Sequence, residues 1–244
     1  MTIEEMREYI KGLEAEKEIA YKEFVSAREK YAVNSPELNE AYDRWNDCKD
    51  KITIVNEKIE NAEANIESLR IPPRFADKTF ENWNKDYGYK EMSMVKAYAD
   101  NYLEQDGRGL CIIGTPGTGK THLAIAAARQ ISENYRRTVR FVTWNDLLQQ
   151  IRESFQTREP VYEKYKTADL LVIDDWGKTK DSEWTAEIVF GLINYRYENM
   201  LPTILTSNNT YEELTKRMGE AVMSRISETC DIIQMRGSNY RLRK

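Results

Sequence analysis

The feature that most constrains the fold is a glycine-rich segment, residues 114–121, that follows a short apolar run. The segment reads Gly-Thr-Pro-Gly-Thr-Gly-Lys-Thr and matches the phosphate-loop pattern G-x-x-x-x-G-K-[ST]. The preceding run, residues 110–113, predicts a buried strand, and a helical pattern begins near Lys120. Backbone N–H groups and a helix N-terminus can surround a phosphate in this arrangement. The segment therefore predicts a nucleotide-binding α/β domain.

Different residues of the loop are predicted to bind different parts of a nucleotide and its metal. Lys120 is expected to reach the outer phosphates, and the Thr121 hydroxyl to ligate Mg²⁺. The glycines let the backbone wrap closely around the phosphates. The predicted ATP-binding residues are Gly114, Thr115, Pro116, Gly117, Thr118, Gly119, Lys120 and Thr121.

Two carboxylates follow a second apolar run, residues 170–173. In an open parallel sheet, ligands bind at the carboxyl ends of the strands, so both acids should face the phosphate loop. Asp174 is predicted to hold Mg²⁺ through water. Asp175 is predicted to orient and deprotonate the attacking water, which would make the site competent for hydrolysis. The alternative is that Asp175 merely caps the following turn.

Short apolar runs alternate with amphipathic helix patterns throughout the region that contains these motifs. Such strands, each joined to the next by a helix, predict a mostly parallel five-stranded sheet covered on both faces. The predicted strands are residues 110–113, 139–143, 170–173, 203–206 and 232–235, and the predicted helices are 121–135, 146–155, 182–198 and 211–229.

The first 70 residues show a seven-residue apolar repeat instead. Two segments of about 30 residues meet at Ser35 and Pro36, a capping residue followed by a proline suited to a first helical position. The repeat predicts two long helices, either as an antiparallel hairpin or as an intermolecular coiled coil. Pro72 and Pro73 then forbid further helix. We therefore predict a helical domain at 1–70 and an ATPase domain at 71–244.

The amino-acid composition bears on which other classes of protein are possible. With three cysteines far apart and a single histidine, His122, the chain lacks the paired ligands of a zinc finger. No apolar run approaches the ~18 residues that span a bilayer, and the first residues are acidic, so we expect a cytoplasmic protein without a membrane partner. The net charge of −5 does not exclude nucleic acid, because basic residues cluster from Lys216 onward.

Several segments beyond the loop carry a more specific resemblance. They include Ile-Pro-Pro-Arg-Phe at 71–75, Leu-Leu-Val-Ile-Asp-Asp at 170–175, Leu-Pro-Thr-Ile-Leu-Thr-Ser-Asn at 201–208 and Val-Met-Ser-Arg at 222–225. With the phosphate loop, they resemble an AAA+ ATPase of the DnaC/DnaI helicase-loader group over residues 71–244. The IstB transposition helpers share most of these motifs. The front segment departs from DnaI-like loaders, because it lacks the residues for their zinc-binding domain.

The resemblance implies roles for three residues outside the phosphate loop. Asn208 corresponds to the polar sensor that positions the lytic water, with Asn209 as the alternative if the register differs by one. Arg225 corresponds to the arginine finger that reaches the ATP site of a neighbouring subunit, whereas its spacing alone would suit a solvated helix face. Arg241 resembles the second sensor.

The resemblance also implies a function. It predicts a loader that binds a replicative DnaB-type helicase through its helical front, assembles side by side through its ATP sites, and holds single-stranded DNA with ATP as the switch. DNA contacts would fall near Arg152 and Phe155, although Phe155 fits a core position equally well. The alternatives are an IstB-like transposition helper that acts on duplex DNA, and a nucleotide-regulated adaptor or inhibitor of a helicase. The helical front is nearly as well explained by self-association.

Overall fold

The computed structural model describes residues 3–84, 87–135, 137–157, 159–178, 182–237 and 239–240. The chain divides into two compact units, Met1–Ala64 and Asn65–Lys244. The division falls six residues before the boundary predicted from the prolines, inside the second long helix. Across the described ranges, no helix is both long and apolar enough to cross a membrane.

The first unit is an antiparallel helical hairpin formed by α1 (Ile3–Lys30) and α2 (Pro36–Ser68). Near its turn the rings of Phe24 and Trp45 stack with centroids 5.5 Å apart, and near its open end Met6 packs with Val55 and Ile59. The Ser35 hydroxyl accepts a hydrogen bond from the Leu38 N–H at 3.3 Å, so the predicted cap forms. The two apolar stripes therefore face each other within one chain.

The second unit contains a five-stranded, all-parallel sheet with the strand order β2-β3-β4-β1-β5. Its strands are β1 (Gly109–Gly114), β2 (Val139–Thr143), β3 (Leu170–Asp174), β4 (Thr203–Ser207) and β5 (Cys230–Met235). Its helices are α3 (Tyr89–Asp100), α4 (Lys120–Tyr135), α5 (Trp144–Thr157), α6 (Val161–Lys166), α7 (Glu183–Glu198), α8 (Tyr211–Met218) and α9 (Glu220–Thr229). The predicted five-stranded α/β fold is confirmed.

Helices cover both faces of the sheet, because successive strand residues point to opposite sides. Val172 packs with α3 and α4 on one face, whereas Leu171 and Ile173 pack with α5, α7 and α9 on the other. All five residues of β3 are buried, as a central parallel strand requires. The carboxyl ends of β3, β4 and β1 consequently lie side by side at one edge of the sheet.

Part of the helix prediction is wrong. The single helix expected over residues 211–229 is two helices, α8 and α9, which meet at Gly219. Gly219 has φ +85°, which is not a helical angle. α8 therefore ends before this residue and α9 begins after it. Helices α3 and α6 were not predicted, because α3 precedes the first strand and α6 is only six residues long.

Candidate nucleotide-binding site

The phosphate loop joins β1 to α4 and depends on glycines at two positions of close approach. Gly114 has φ +146°, and a Cβ atom there would lie 2.3 Å from the backbone oxygen of Met235. Gly119 has φ +98°, and its Cβ would lie 2.3 Å from the Trp83 ring. A side chain at either position would strain the backbone and collide with a neighbour. These contacts explain why the loop follows the path that its sequence predicts.

Lys120 is buried at the first residue of α4, with its ammonium group folded into the loop. Nζ donates hydrogen bonds to the backbone oxygens of Gly114 at 2.7 Å and Thr115 at 2.8 Å. The Thr118 hydroxyl donates to the same Thr115 oxygen at 2.9 Å. The loop therefore already surrounds a cation, and a nucleotide phosphate would offer that cation a charged acceptor in place of neutral ones.

Asp174 ends β3 and is the most buried acid of the site, with 5% of its surface exposed. Its Oδ1 accepts hydrogen bonds from the Thr121 hydroxyl at 2.8 Å and the Thr206 hydroxyl at 2.5 Å. Burial raises the pKa of Asp174 above its ordinary value, while the bonds from Thr206 and Thr121 act in the opposite direction. Burial makes the ionised form of Asp174 less favourable, so a bound cation would stabilise that form.

The oxygen donors at this point fit Mg²⁺. The carboxylate of Asp174 and the hydroxyl of Thr121 are hard oxygen ligands, which Mg²⁺ prefers, and the two side chains already lie in direct contact. In such sites one or two protein ligands and the phosphates of the nucleotide share the ion. The geometry thus brings together both predicted magnesium residues.

Asp175 follows directly and has φ +56°, an unusual left-handed conformation for a residue other than glycine. Its N–H donates to the Thr206 hydroxyl at 3.0 Å, which holds the turn in place. The carboxylate accepts a hydrogen bond from Asn208 Nδ2 at 2.9 Å and forms an ion pair with Lys178 Nζ, also at 2.9 Å. The side chain therefore lies at the site with both oxygens engaged.

A cavity of about 950 Å³ opens over the loop. Its size suits a nucleotide with its metal, since small-molecule sites occupy about 300–1,000 Å³. Its wall includes the two acids, Asn208 and Lys178. Away from the acids, the side chains that line it are mostly aromatic and cationic: Arg74, Phe75, Lys78, Trp83, Tyr87, Arg236 and Tyr240.

The segment between the two prolines and α3 forms one side of this cavity and is held against α4. His122 Nε2 bonds the Thr79 backbone oxygen at 2.7 Å, and the Trp83 ring meets the His122 ring edge-on, with centroids 5.0 Å apart. Trp83 Nε1 donates to the Tyr87 oxygen at 2.7 Å. Desolvation lowers the pKa of His122, so its neutral form is favoured. His122 therefore holds this wall of the cavity in place.

The structure separates the two asparagines that the sequence left as alternatives. Asn208 lines the cavity and bonds Asp175. Asn209 turns away, and its Nδ2 donates to the Gly177 oxygen at 3.1 Å. Asn208 is thus the asparagine that faces the cavity beside Asp175.

Arg225 lies on α9 and packs against α7. It is not among the described residues that line the cavity of its own chain. Its Nε donates to Asn194 Oδ1 at 2.8 Å, and its guanidinium lies over the rings of Phe190 at 5.1 Å and Tyr197 at 5.4 Å. The side chain is partly exposed. Arg241 lies outside the described residues.

The two residues predicted to contact DNA lie on α5. Phe155 is 66% exposed, so the core position that the sequence allowed is wrong. Arg152 is exposed, and its guanidinium lies 4.8 Å from the centre of the half-buried Trp184 ring. An exposed aromatic side chain and a stacked arginine, one helical turn apart, therefore share one surface.

Sequence reasoning missed Thr206, whose hydroxyl bonds both the Asp174 carboxylate and the Asp175 N–H. It lies in a strand whose residues are all buried. A hydroxyl at the carboxyl end of the strand next to the acids was the available signal.

The sheet order, the phosphate loop and the acid pair together define an ATP-binding domain of the AAA+ type. A family model described as IstB-like ATP binding protein matches residues 55–244, and the chain belongs to this family. The resemblance to the DnaC/DnaI group and its IstB relatives is thereby confirmed.

Individual relatives are similar over the same region. Phage-like element PBSX protein XkdC of Bacillus subtilis (strain 168) is 31% identical over 176 residues, covering 68% of this chain and 66% of XkdC. Replicative helicase loader DnaC of Escherichia coli (strain K12) is 30% identical over 163 residues, covering 64% of this chain and 65% of DnaC. The matches thus span slightly less than two thirds of each relative.

Among solved structures, the crystal structure of the DnaC helicase loader aligns with a TM-score of 0.64 at 25% identity. The alignment covers 68% of this chain and 100% of that chain.

Proposed function

We propose that this protein is an ATP-dependent helicase loader, which binds a replicative DnaB-type helicase and single-stranded DNA with ATP binding and hydrolysis as the switch. The observation that carries the proposal is the joined acid pair and phosphate loop, in a chain 30% identical to a replicative helicase loader. The loop supports ATP binding. The exposed Phe155 and the helical hairpin support contacts beyond the nucleotide.

ATP would be held with its phosphates inside the loop and its outer phosphates on Lys120. Thr121 and Asp174 would hold Mg²⁺, which neutralises charge on the phosphate oxygens when it is bound. Asp175 would accept a proton from the attacking water as that water's oxygen bonds to the γ-phosphorus. The bond from the γ-phosphorus to the bridging oxygen then breaks, which leaves ADP and phosphate. Asn208 would orient the water and Asp175 together.

Arg225 would act on the ATP site of a neighbouring subunit. A cation that approaches the γ-phosphate stabilises the charge that develops during transfer. Because Arg225 is partly exposed and packs on α7 rather than against its own cavity, it is available to an adjacent copy. Side-by-side assembly would thus complete the site. Arg241 is proposed as a second cation near the phosphates by resemblance alone.

Single-stranded DNA would contact the α5 surface. Aromatic rings and arginine planes stack on unpaired bases, and Phe155 and Arg152 present both groups. The hairpin at 1–70 would engage the helicase through the faces that its own seam leaves exposed. The ATPase domain at 71–244 would then couple nucleotide state to both partners.

The experiment that tests this function compares DNA binding with and without Mg·ATP at two salt concentrations. A loader should prefer single strands in the presence of ATP, and Phe155→Ala should weaken that binding about 5- to 100-fold, the range of one lost base stack. The matched control is Leu103→Ala, another exposed apolar residue on a different surface. Equal binding by wild type and Phe155→Ala would contradict the proposed DNA surface.

A second candidate is a transposition helper that acts on duplex DNA, favoured by the IstB-like family model over residues 55–244. In the same binding experiment it predicts a duplex preference. The absence of any DNA binding would instead favour the nucleotide-regulated adaptor. Capture of a purified DnaB-type helicase by the full chain, and its loss on deletion of residues 1–64, which removes only the first compact unit, tests the assigned helicase contact. Retention after the deletion would favour self-association as the role of the hairpin.

A further inference from the structure

Lys178 makes an ion pair with the acid proposed to activate water. Its Nζ lies 2.9 Å from Asp175 Oδ2, while Asn208 Nδ2 lies 2.9 Å from Oδ1. Each oxygen of Asp175 therefore carries an N–H donor. Each oxygen has two lone pairs, and the donor on it occupies one of them, so the attacking water competes with the donors for a place beside the carboxylate.

The backbone of Asp175 is fixed, whereas the lysine is not. The Asp175 N–H is bonded to Thr206, and its φ of +56° sets the direction of the side chain. The Lys178 side chain is 60% exposed and lines the cavity, so it can leave its partner without disturbing the core. The ion pair is thus a contact that can open while the acid remains in place.

We propose that Lys178 is a positioning residue that restrains ATP hydrolysis by occupying Oδ2 of Asp175. This inference rests on the proposed role of Asp175 as the water-activating acid. In the resting chain the pair holds the oxygen that would take the proton, and turnover occurs from the fraction of molecules in which the pair is open. Because the pair is exposed to solvent, dissolved salt weakens it and raises that fraction.

The test measures kcat and KM for Mg·ATP in wild type and Lys178→Met, which keeps the apolar stem and removes the charge. We expect kcat to rise about two- to fivefold, the range set by an exposed ion pair, with KM unchanged. Lys178→Arg, which can keep the pair, should behave as wild type. The advantage of Lys178→Met should shrink at high salt.

The matched control is Lys96→Met. Lys96 makes a similar exposed pair with Asp100 at 3.1 Å on α3, so its loss should leave kcat unchanged. An unchanged kcat in Lys178→Met would overturn the restraint. A lower kcat would overturn it too, and would show that Lys178 acts on the phosphates instead.

Asp175→Asn separates this inference from the proposed function. If Asp175→Asn is inactive while Lys178→Met equals wild type, the restraint fails and the acid keeps its role. If Asp175→Asn hydrolyses ATP as wild type does, the role of Asp175 fails, and the restraint fails with it. If no variant hydrolyses ATP under any condition, both are overturned.

Discussion

The hydroxyl of Thr206 donates to Oδ1 of Asp174 at 2.5 Å, from the end of one buried strand to the end of its neighbour. The same hydroxyl accepts the N–H of Asp175 at 3.0 Å. One threonine therefore orders both acids of the site. Because Thr206 is 1% exposed, water cannot replace either bond.

Thr206→Val should destabilise the protein and slow hydrolysis. It leaves a buried carboxylate oxygen and a backbone N–H short of a partner, which lowers the free energy of unfolding by about 1–3 kcal/mol. Denaturant unfolding measures this loss. Thr206→Ser keeps the hydroxyl and is the control, so an equal loss in both variants would contradict the hydrogen-bonding role.

Asp174→Asn should not lower the stability of the nucleotide-free protein at neutral pH. Burial raises the pKa of Asp174, so its stabilising contribution is present below the ordinary value and lost as the pH rises through the raised one. The ionised side chain therefore destabilises the nucleotide-free fold at neutral pH, and the neutral amide of the variant removes this destabilisation.

The same variant should lose the stabilisation that Mg·ATP confers. For wild type this gain is about 2.7 kcal/mol at a ligand concentration roughly 100 times Kd. Thermal unfolding with and without Mg·ATP measures both effects. A variant that keeps the full gain would show that Asp174 does not hold the metal.

His122→Gln should make the protein less sensitive to mild acid. Desolvation lowers the pKa of His122, so its contribution to stability is present above the ordinary value and lost as the pH falls through the lowered one. Glutamine can still donate to the Thr79 oxygen but does not titrate. Thermal unfolding between about pH 7 and about pH 5 should show a steeper loss for wild type. Parallel curves would exclude His122 as the cause.

Arg225→Ala should leave ATP binding intact and remove hydrolysis that depends on assembly, by about 10³-fold for a full arginine finger. Lys216→Ala, an exposed cation on α8, is the control. Mixing Arg225→Ala with Asp175→Asn should restore activity, because one supplies an intact site and the other an intact arginine. Normal turnover by Arg225→Ala alone would show that the arginine finger is misassigned.

The sheet was predictable because each buried strand is an uninterrupted apolar run that ends at a marked residue. Residues 170–173 lead into paired acids, and residues 110–113 lead into the phosphate loop, so both the elements and their shared edge follow from the sequence. The two long helices were predictable because their seven-residue repeat leaves one face to bury, but the repeat did not decide between a hairpin and an intermolecular coiled coil.

Other features depend on contacts between distant residues and leave no local pattern. The break between α8 and α9 rests on the backbone angle of Gly219, which an amphipathic pattern does not report. Thr206 looks like an ordinary strand residue until β4 lies beside β3. The ion pair of Lys178 depends on the left-handed turn at Asp175, since that turn directs the carboxylate toward the lysine.

The most direct test of the account is the affinity of the purified full chain for Mg·ATP, measured by titration calorimetry beside Lys120→Ala. The buried ammonium group is held inside the loop by two backbone oxygens, where a phosphate would meet it. We expect saturable binding by wild type with a stoichiometry of one per chain, and no measurable binding by the variant. Equal affinity in the two proteins, or no binding by wild type, would contradict the assignment of this loop as the nucleotide site.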